Sequence, residues 1–226
     1  VSRAPQQHGW IFDLDGTLVD SLPGIAGSLN RALAACGRST YSSAEVRSFI
    51  GDGIIMLIHR ATPEANEEER AEVLRLFRDD YARRWNEGTD VYEGIHELLD
   101  VLKKQGARLA VLSNKPHAFT VEIVEYLFPE MFDHIIGQRI GIPHKPDPAG
   151  LQEILDQWQL PAATCVLLGD STMDLQTAQA LGTQAAAATW GYHDRDALLA
   201  LKPDYQFESA QEVIDAIHRG AGFTAP

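Results

Sequence analysis

The sequence predicts an α/β fold: a doubly wound parallel sheet, interrupted after its first strand by an all-helical insertion. Three observations carry this. Trp10–Leu14 is a short apolar run with few polar breaks, as in a strand buried on both faces. From Ser21 to about Glu87 the apolar residues recur only at helical spacing. Beyond Tyr92-Glu93-Gly94, short apolar runs alternate with helical faces, the pattern of a parallel sheet covered on both sides.

Taken in order, Ile25, Leu29, Ala32, Leu33 and Cys36 mark the first helical face of the insertion. Val46, Phe49, Ile50, Leu57 and Ile58 mark a second, broken by Gly51-Asp52-Gly53, which reads as a loop closing over a ligand. Val73, Leu74, Phe77, Tyr81 and Trp85 mark a third, with charged Pro63–Arg70 at its surface start. Ile95, Leu98, Leu99 and Leu102 give a helix with Gly106 as its stop. Arg108–Leu112 is a predicted strand, and Pro116 opens a helix, where its fixed φ suits the first turn. His134–Gly137 is a short strand, followed by a helix through Leu151, Ile154, Leu155 and Trp158. Thr164–Leu168 and Gln184–Thr189 are strands separated by a helix over Met173–Leu181, and Val213, Ile214 and Ile217 mark the last helix. The expected division is a core of residues 1–19 plus 89–226 and a helical domain of residues 20–88.

The 226 residues are 45% hydrophobic and 23% charged, an ordinary folded composition with length enough for a sizeable core. The net charge of −13 argues against nucleic acid or an anionic membrane surface as partner. No apolar run approaches a spanning helix, and Val1–Gly9 is polar, without a signal-peptide core. The chain also lacks an initiator Met. Two cysteines, Cys36 and Cys165, make no disulfide framework, so the expected location is the cytoplasm. Monomer and homodimer both stay open.

In open α/β sheets, ligands bind beyond the carboxyl ends of the strands. The first strand ends in Asp13-Leu14-Asp15-Gly16-Thr17, the second in Ser113-Asn114-Lys115, and a later one in Gly169-Asp170-Ser171, with Asp174 close behind. Between them lies His144-Lys145-Pro146. Asp13 and Asp15, two apart on a strand, are expected on one face. Two carboxylates at ~4 Å repel by roughly 4 kcal/mol at an effective dielectric near 20. A positive group must offset that, and the all-oxygen donor set suits Mg²⁺ better than Zn²⁺. Taken singly, each of these motifs reads as a turn, a helix cap or a surface charge. Trp190 and Tyr192 read as packing residues.

Asp-Leu-Asp-Gly-Thr-Leu from Asp13, then Ser113, Lys145-Pro146 and Gly169-Asp170 with Asp174, in that order, resembles the haloacid dehalogenase superfamily. The helical insertion is similar to that superfamily's first type of cap domain on its Rossmann-like core. Val19-Asp20-Ser21, Asn114-Lys115-Pro116 and Trp190-Gly191-Tyr192 are similar to its phosphoglycolate phosphatase branch. Glu93 and His193 depart from that branch, where Pro and Gly are frequent.

The resemblance implies a Mg²⁺-dependent phosphomonoester hydrolase acting on a small phosphorylated metabolite of the phosphoglycolate type. It implies Asp13 as nucleophile, forming an aspartyl-phosphate, and Asp15 as general acid and base. Ser113, the Asn114 amide, Lys145 and Thr17 are expected to hold substrate. Mg²⁺ is expected on Asp13, the Asp15 carbonyl and Asp170, with Asp174 behind them or orienting Lys145. Arg47, His59 and Arg60, near the glycine loop, are candidates to read the leaving group. A β-phosphoglucomutase-like sugar-phosphate mutase is the alternative on the same residues, and a phospho-accepting receiver domain is the alternative from another class. The receiver lacks the insertion and the first-strand motif.

Overall fold

Apolar residues of opposite parity on the central strands divide between two buried clusters, and this sets the layering. Trp10 and Phe12, Leu109 and Val111, Val166 and Leu168, and Ala186 and Ala188 face one cluster. Ile11, Ala110 and Leu112, Cys165 and Leu167, and Ala185 and Ala187 face the other. A strand buried on both faces has no polar side, and helices must cover each.

The computed structural model describes residues 8–220, so Val1–Gln7 of the polar start lie outside the described residues. The elements run β1 (Gly9–Phe12), β2 (Val19–Asp20), α1 (Leu22–Ala35), α2 (Ser43–Arg47), α3 (Gly53–Ala61), α4 (Glu67–Arg84) and β3 (Asp90–Val91). Then follow α5 (Ile95–Lys104), β4 (Arg108–Pro116), α6 (His117–Leu127), β5 (His134–Gln138), α7 (Ala149–Trp158) and β6 (Cys165–Gly169). The chain continues through α8 (Thr172–Leu181), β7 (Gln184–Ala188), α9 (Arg195–Ala200), β8 (Tyr205–Phe207) and α10 (Ala210–His218). The six-stranded sheet has the order β5-β4-β1-β6-β7-β8, and all its pairings are parallel. Helices α5, α6 and α10 pack on one face and α7, α8 and α9 on the other. The predicted doubly wound α/β fold is the one observed.

From β1 the chain winds to β4 and β5 on one side, then crosses from β5 to β6 on the other side of β1 and winds on to β7 and β8. The crevice beyond Phe12 is therefore the switch point of the sheet, where ligands bind in such folds. Between β2 and β3 the chain is helical, and those two strands pair antiparallel (Val19 with Val91, Asp20 with Asp90) where it leaves and returns. Helices α1 to α4 share a single buried cluster with the sheet face, in which Ile58, Phe77 and Tyr81 join Phe12 and Val111.

Two local expectations need correcting. Strand β4 runs on to Pro116 rather than stopping at Leu112, with a slip in register between them. Ser113, Asn114 and Lys115 therefore sit on strand backbone, and the helix starts at His117. Asp13 and Asp15 do not share a strand face, because β1 ends at Phe12. The amides of Leu18 and Val19 both reach the Leu14 carbonyl (3.0 and 3.1 Å), which forces a tight turn. Gly16 allows it with φ +86°, and a Cβ there would stand 2.4 Å from the Asp170 carboxylate.

Candidate active site

The turn after β1 sends its two acids to different lysines. Lys145 Nζ lies 3.0 Å from Asp13 Oδ1 and 2.6 Å from Asp174 Oδ1, and it donates to the Leu112 carbonyl at 2.8 Å. Asp15 instead accepts from Lys115 Nζ at 2.8 and 3.0 Å and from the Ser21 hydroxyl at 2.5 Å. All of these lysines and acids are buried or nearly so.

Lys145 is aimed by its neighbours. The Asn114 side chain accepts from the Lys145 amide (2.8 Å) and donates to the Lys145 carbonyl (3.1 Å), pinning that loop to β4. It also donates to the Gly51 carbonyl at 3.1 Å, reaching the glycine loop before α3. Asp174 does two jobs. Its Oδ2 accepts from the amide and hydroxyl of Ser171 (3.0 and 2.6 Å), completing the capping box of α8, while Oδ1 holds Lys145. The helix-cap contact and the contact to Lys145 are both present at this one side chain.

Asp170, just past β6, accepts from the Thr17 hydroxyl at 3.2 Å and the Tyr192 amide at 2.7 Å. Gly191 packs against it so closely that a Cβ would meet Asp170 Cβ at 2.2 Å and the Gly16 carbonyl at 2.4 Å. His193 Nδ1 is 3.5 Å from Asp170 Oδ2. The Trp-Gly-Tyr segment is thus a brace as well as packing. Trp190 donates to the Thr17 carbonyl at 3.1 Å. The Tyr192 hydroxyl accepts from the amides of Ser21 (2.7 Å) and Leu22 (2.9 Å) at the start of α1 and donates to Asp20 (3.0 Å).

Carboxylate oxygens of Asp13, Asp170 and Asp174 lie within 4.8 Å of one another. Burial drives the Asp13 carboxyl up to about 7; Lys145 opposes the shift, and Asp174 and Asp170 add to it. Burial also works against the charge on Lys145, but Asp13 and Asp174 outweigh it and hold the ammonium above its ordinary value. One ammonium against three buried carboxylates leaves a deficit of positive charge. Oxygen donors around such a deficit fit a hard divalent cation.

A family model described as haloacid dehalogenase-like hydrolase matches residues 10–188. The chain belongs to that family. A phosphoglycolate phosphatase of Vibrio parahaemolyticus is 31% identical over 91% of this chain and 94% of its own length. Another, of Pseudomonas syringae pv. tomato, is 36% identical over 81% of this chain and 70% of its own. Among solved structures, a predicted phosphoglycolate phosphatase from Haemophilus somnus superposes with a TM-score of 0.89 at 29% identity, covering 94% of this chain and 98% of that one.

In this hydrolase of the haloacid dehalogenase-like family, Asp13, Asp15, Ser113, Asn114 and Asp170 all line one hollow at the switch point. Thr17, expected to touch substrate, is fully buried under Asp170 and does not line it. Ser113 caps no helix, since α6 starts from Pro116 without a side-chain cap. Arg47, His59 and Arg60, expected to read the leaving group, do not line the hollow. Arg47 donates to the carbonyls of Tyr192 (2.6 Å) and Gly191 (2.7 Å), clasping helix α2 to the segment under Asp170. Arg60 is held by the Phe49 carbonyl (2.9 Å) and by Asp52, bracing the glycine loop. Lys115, noted in sequence only as part of a motif, proves to be the partner of Asp15. Among the described residues, no helix is long and apolar enough to cross a membrane.

Proposed function

We propose that this hydrolase cleaves phosphomonoesters of small metabolites through an aspartyl-phosphate on Asp13, with a divalent cation, Mg²⁺ by preference. The observation that supports it most is the separation of two acids at one switch point: Asp13 beside Lys145 and the carboxylate cluster, Asp15 apart from it on Lys115. Two carboxyls in different surroundings suit different tasks. The relatives' names make phosphoglycolate the first ester to try.

In this reading an Asp13 carboxylate oxygen attacks phosphorus while the ester P–O bond breaks. Asp15 delivers a proton to the departing alkoxide oxygen, then takes one from the water that releases phosphate and restores Asp13. Both Asp15 carboxyl oxygens accept from Lys115 Nζ here, so to donate the carboxyl must turn away from Lys115. The Ser113 hydroxyl and the Asn114 amide bind the phosphoryl oxygens. Lys145, fixed by Asp174, offsets charge on Asp13 and the phosphoryl group. The cation would be held by the Asp13 and Asp170 carboxylates and the Asp15 carbonyl, since both Asp174 oxygens are engaged; it supplies positive charge for the transferring phosphoryl group. Helices α1 to α4 act as a cap over the site, clasped by Arg47 and Asn114, and keep water from it. With Cys36 and Cys165 both free, the cytoplasm is the proposed location.

Chelation is expected to abolish turnover of an aryl phosphate and Mg²⁺ to restore it. Ca²⁺ should restore little, because its larger, looser shell misplaces Asp13. Full turnover after confirmed metal removal would contradict the cation assignment.

A further inference from the structure

Tyr192 ties three parts of the molecule together, and each tie uses a different group of the same residue. Its hydroxyl accepts from the amides of Ser21 and Leu22, where the chain enters α1. Its amide donates to Asp170 Oδ2 at 2.7 Å. Its carbonyl accepts from Arg47 Nε at 2.6 Å, and the carbonyl before it, that of Gly191, accepts from Arg47 Nη2 at 2.7 Å. Arg47 is the last residue of α2. Its planar fork therefore spans two successive backbone carbonyls of the core.

The Gly191 carbonyl and the Tyr192 amide belong to one trans peptide group, so they point in opposite directions. This unit faces α2 with its oxygen and Asp170 with its N–H. A guanidinium on the oxygen polarises the group and strengthens the bond that its N–H makes. The peptide also has no slack: a Cβ on Gly191 would stand 2.2 Å from Asp170 Cβ and 2.4 Å from the Gly16 carbonyl. The other Asp170 oxygen accepts from the Thr17 hydroxyl at 3.2 Å. The carboxylate is thus aimed by one contact from the turn after β1 and one that runs through the peptide to α2. His193, next in the chain, lies between the same two parties. Its Nδ1 is 3.5 Å from Asp170 Oδ2, and a Cβ on Gly51 would stand 3.1 Å from its Nε2. Helix α2 and the glycine loop therefore both bear on the segment that aims Asp170.

We propose that Arg47 is a positioning residue for the cation: its seat on the Gly191–Tyr192 peptide and cation binding at Asp170 favour each other. The proposal rests on the divalent cation of the phosphomonoesterase reading and extends that reading to how the inserted helices act on the site. The cation is held most tightly when α2 is seated on the core and more loosely when it lifts away. By linkage, the cation in turn holds α2 down. A mere clasp could use any acceptor on the core, whereas Arg47 takes the peptide that also binds Asp170. Arg60 supplies the contrast, because its partners, the Phe49 carbonyl and Asp52, both lie within the inserted segment.

The test titrates Mg²⁺ by calorimetry into metal-stripped, substrate-free wild type, Arg47→Met, Arg47→Lys and Arg60→Met. Arg47 is exposed, so its replacement does not threaten the fold. Arg47→Met is expected to raise the Mg²⁺ dissociation constant about 5-fold or more. Arg47→Lys keeps the charge but cannot span both carbonyls, and is expected to fall between. Arg60→Met is expected to match wild type. Hydrogen exchange in residues 43–53 should slow when Mg²⁺ is added to wild type, and far less in Arg47→Met. An Arg47→Met dissociation constant within about twofold of wild type overturns the proposal. So does equal weakening in Arg60→Met, or wild-type exchange that ignores Mg²⁺. Wild type that binds no Mg²⁺ overturns the cation assignment on which this coupling depends. Wild type that shows the coupling but hydrolyses no phosphate ester overturns the phosphomonoesterase reading and leaves the coupling standing.

Discussion

Asp13→Asn is expected to lower turnover by at least ~10⁴-fold, the scale of losing an essential catalytic group. The amide has nearly the shape of the carboxyl and can still accept from the Leu14 amide, which donates to Asp13 Oδ1 at 2.7 Å. It offers no nucleophilic oxygen, so no phosphoenzyme forms. The fold should not suffer. Burial and two neighbouring carboxylates hold the Asp13 carboxyl up at about 7, so above that pH the ionised group costs stability in the cation-free protein. A neutral isostere relieves that cost. The chelated variant should therefore unfold no lower than chelated wild type at pH 8, while its turnover is at background. A large drop in both would mean that Asp13 serves the fold, and retained turnover would remove it from the mechanism.

Lys145→Met is the second large expected effect, and it differs in kind. The side chain is almost fully enclosed and touches Asp13, Asp174 and the Leu112 carbonyl. Removing the ammonium leaves two buried carboxylates without their partner, and breaking such a pair costs about 3–5 kcal/mol. Turnover should fall by roughly 10²- to 10³-fold or more, as when an electrostatic stabiliser of the transition state is lost. Divalent cation should stabilise this variant more than it stabilises wild type, because the uncompensated carboxylates bind it more strongly. Thermal unfolding with and without Mg²⁺, beside the kinetics, checks both statements. A variant as stable as wild type in chelator would show that the three-carboxylate cluster does not depend on Lys145.

The sheet was legible because its strands are buried on both faces, so Trp10–Phe12 and Leu109–Leu112 read as unbroken apolar runs. Strands β2 and β3 have two residues each and β8 has three, too short for any periodicity to register. The acids at the strand ends were legible because each sits in a short motif whose order along the chain matches the fold. What those acids touch was not. Lys115 and Asp15 are 100 residues apart, and Tyr192 and Ser21 are 171 apart, so nothing local connects them. Arg47 and Arg60 misled for the same reason: a cation near a glycine loop has no marked partner in sequence, and here backbone carbonyls and Asp52 take both. Tyr81 fell on the helical face with Phe77 and is indeed core. That its ring also packs on Phe119 and under the Lys115 ammonium shows only once the neighbours are in place.

The central claim is that phosphate passes through Asp13, and trapping it there is the most direct test. In Asp15→Asn the nucleophile remains, but the base that activates water is gone. An aryl phosphate needs little protonation to leave, so the first step proceeds and the second stalls. Acid-quenched Asp15→Asn protein, exposed to the aryl ester with Mg²⁺ and examined by mass spectrometry, should carry one phosphoryl group on the peptide containing Asp13. The doubly substituted Asp13→Asn, Asp15→Asn protein should carry none. A label on Ser113 or a histidine, or label persisting when Asp13 is replaced, would contradict the account.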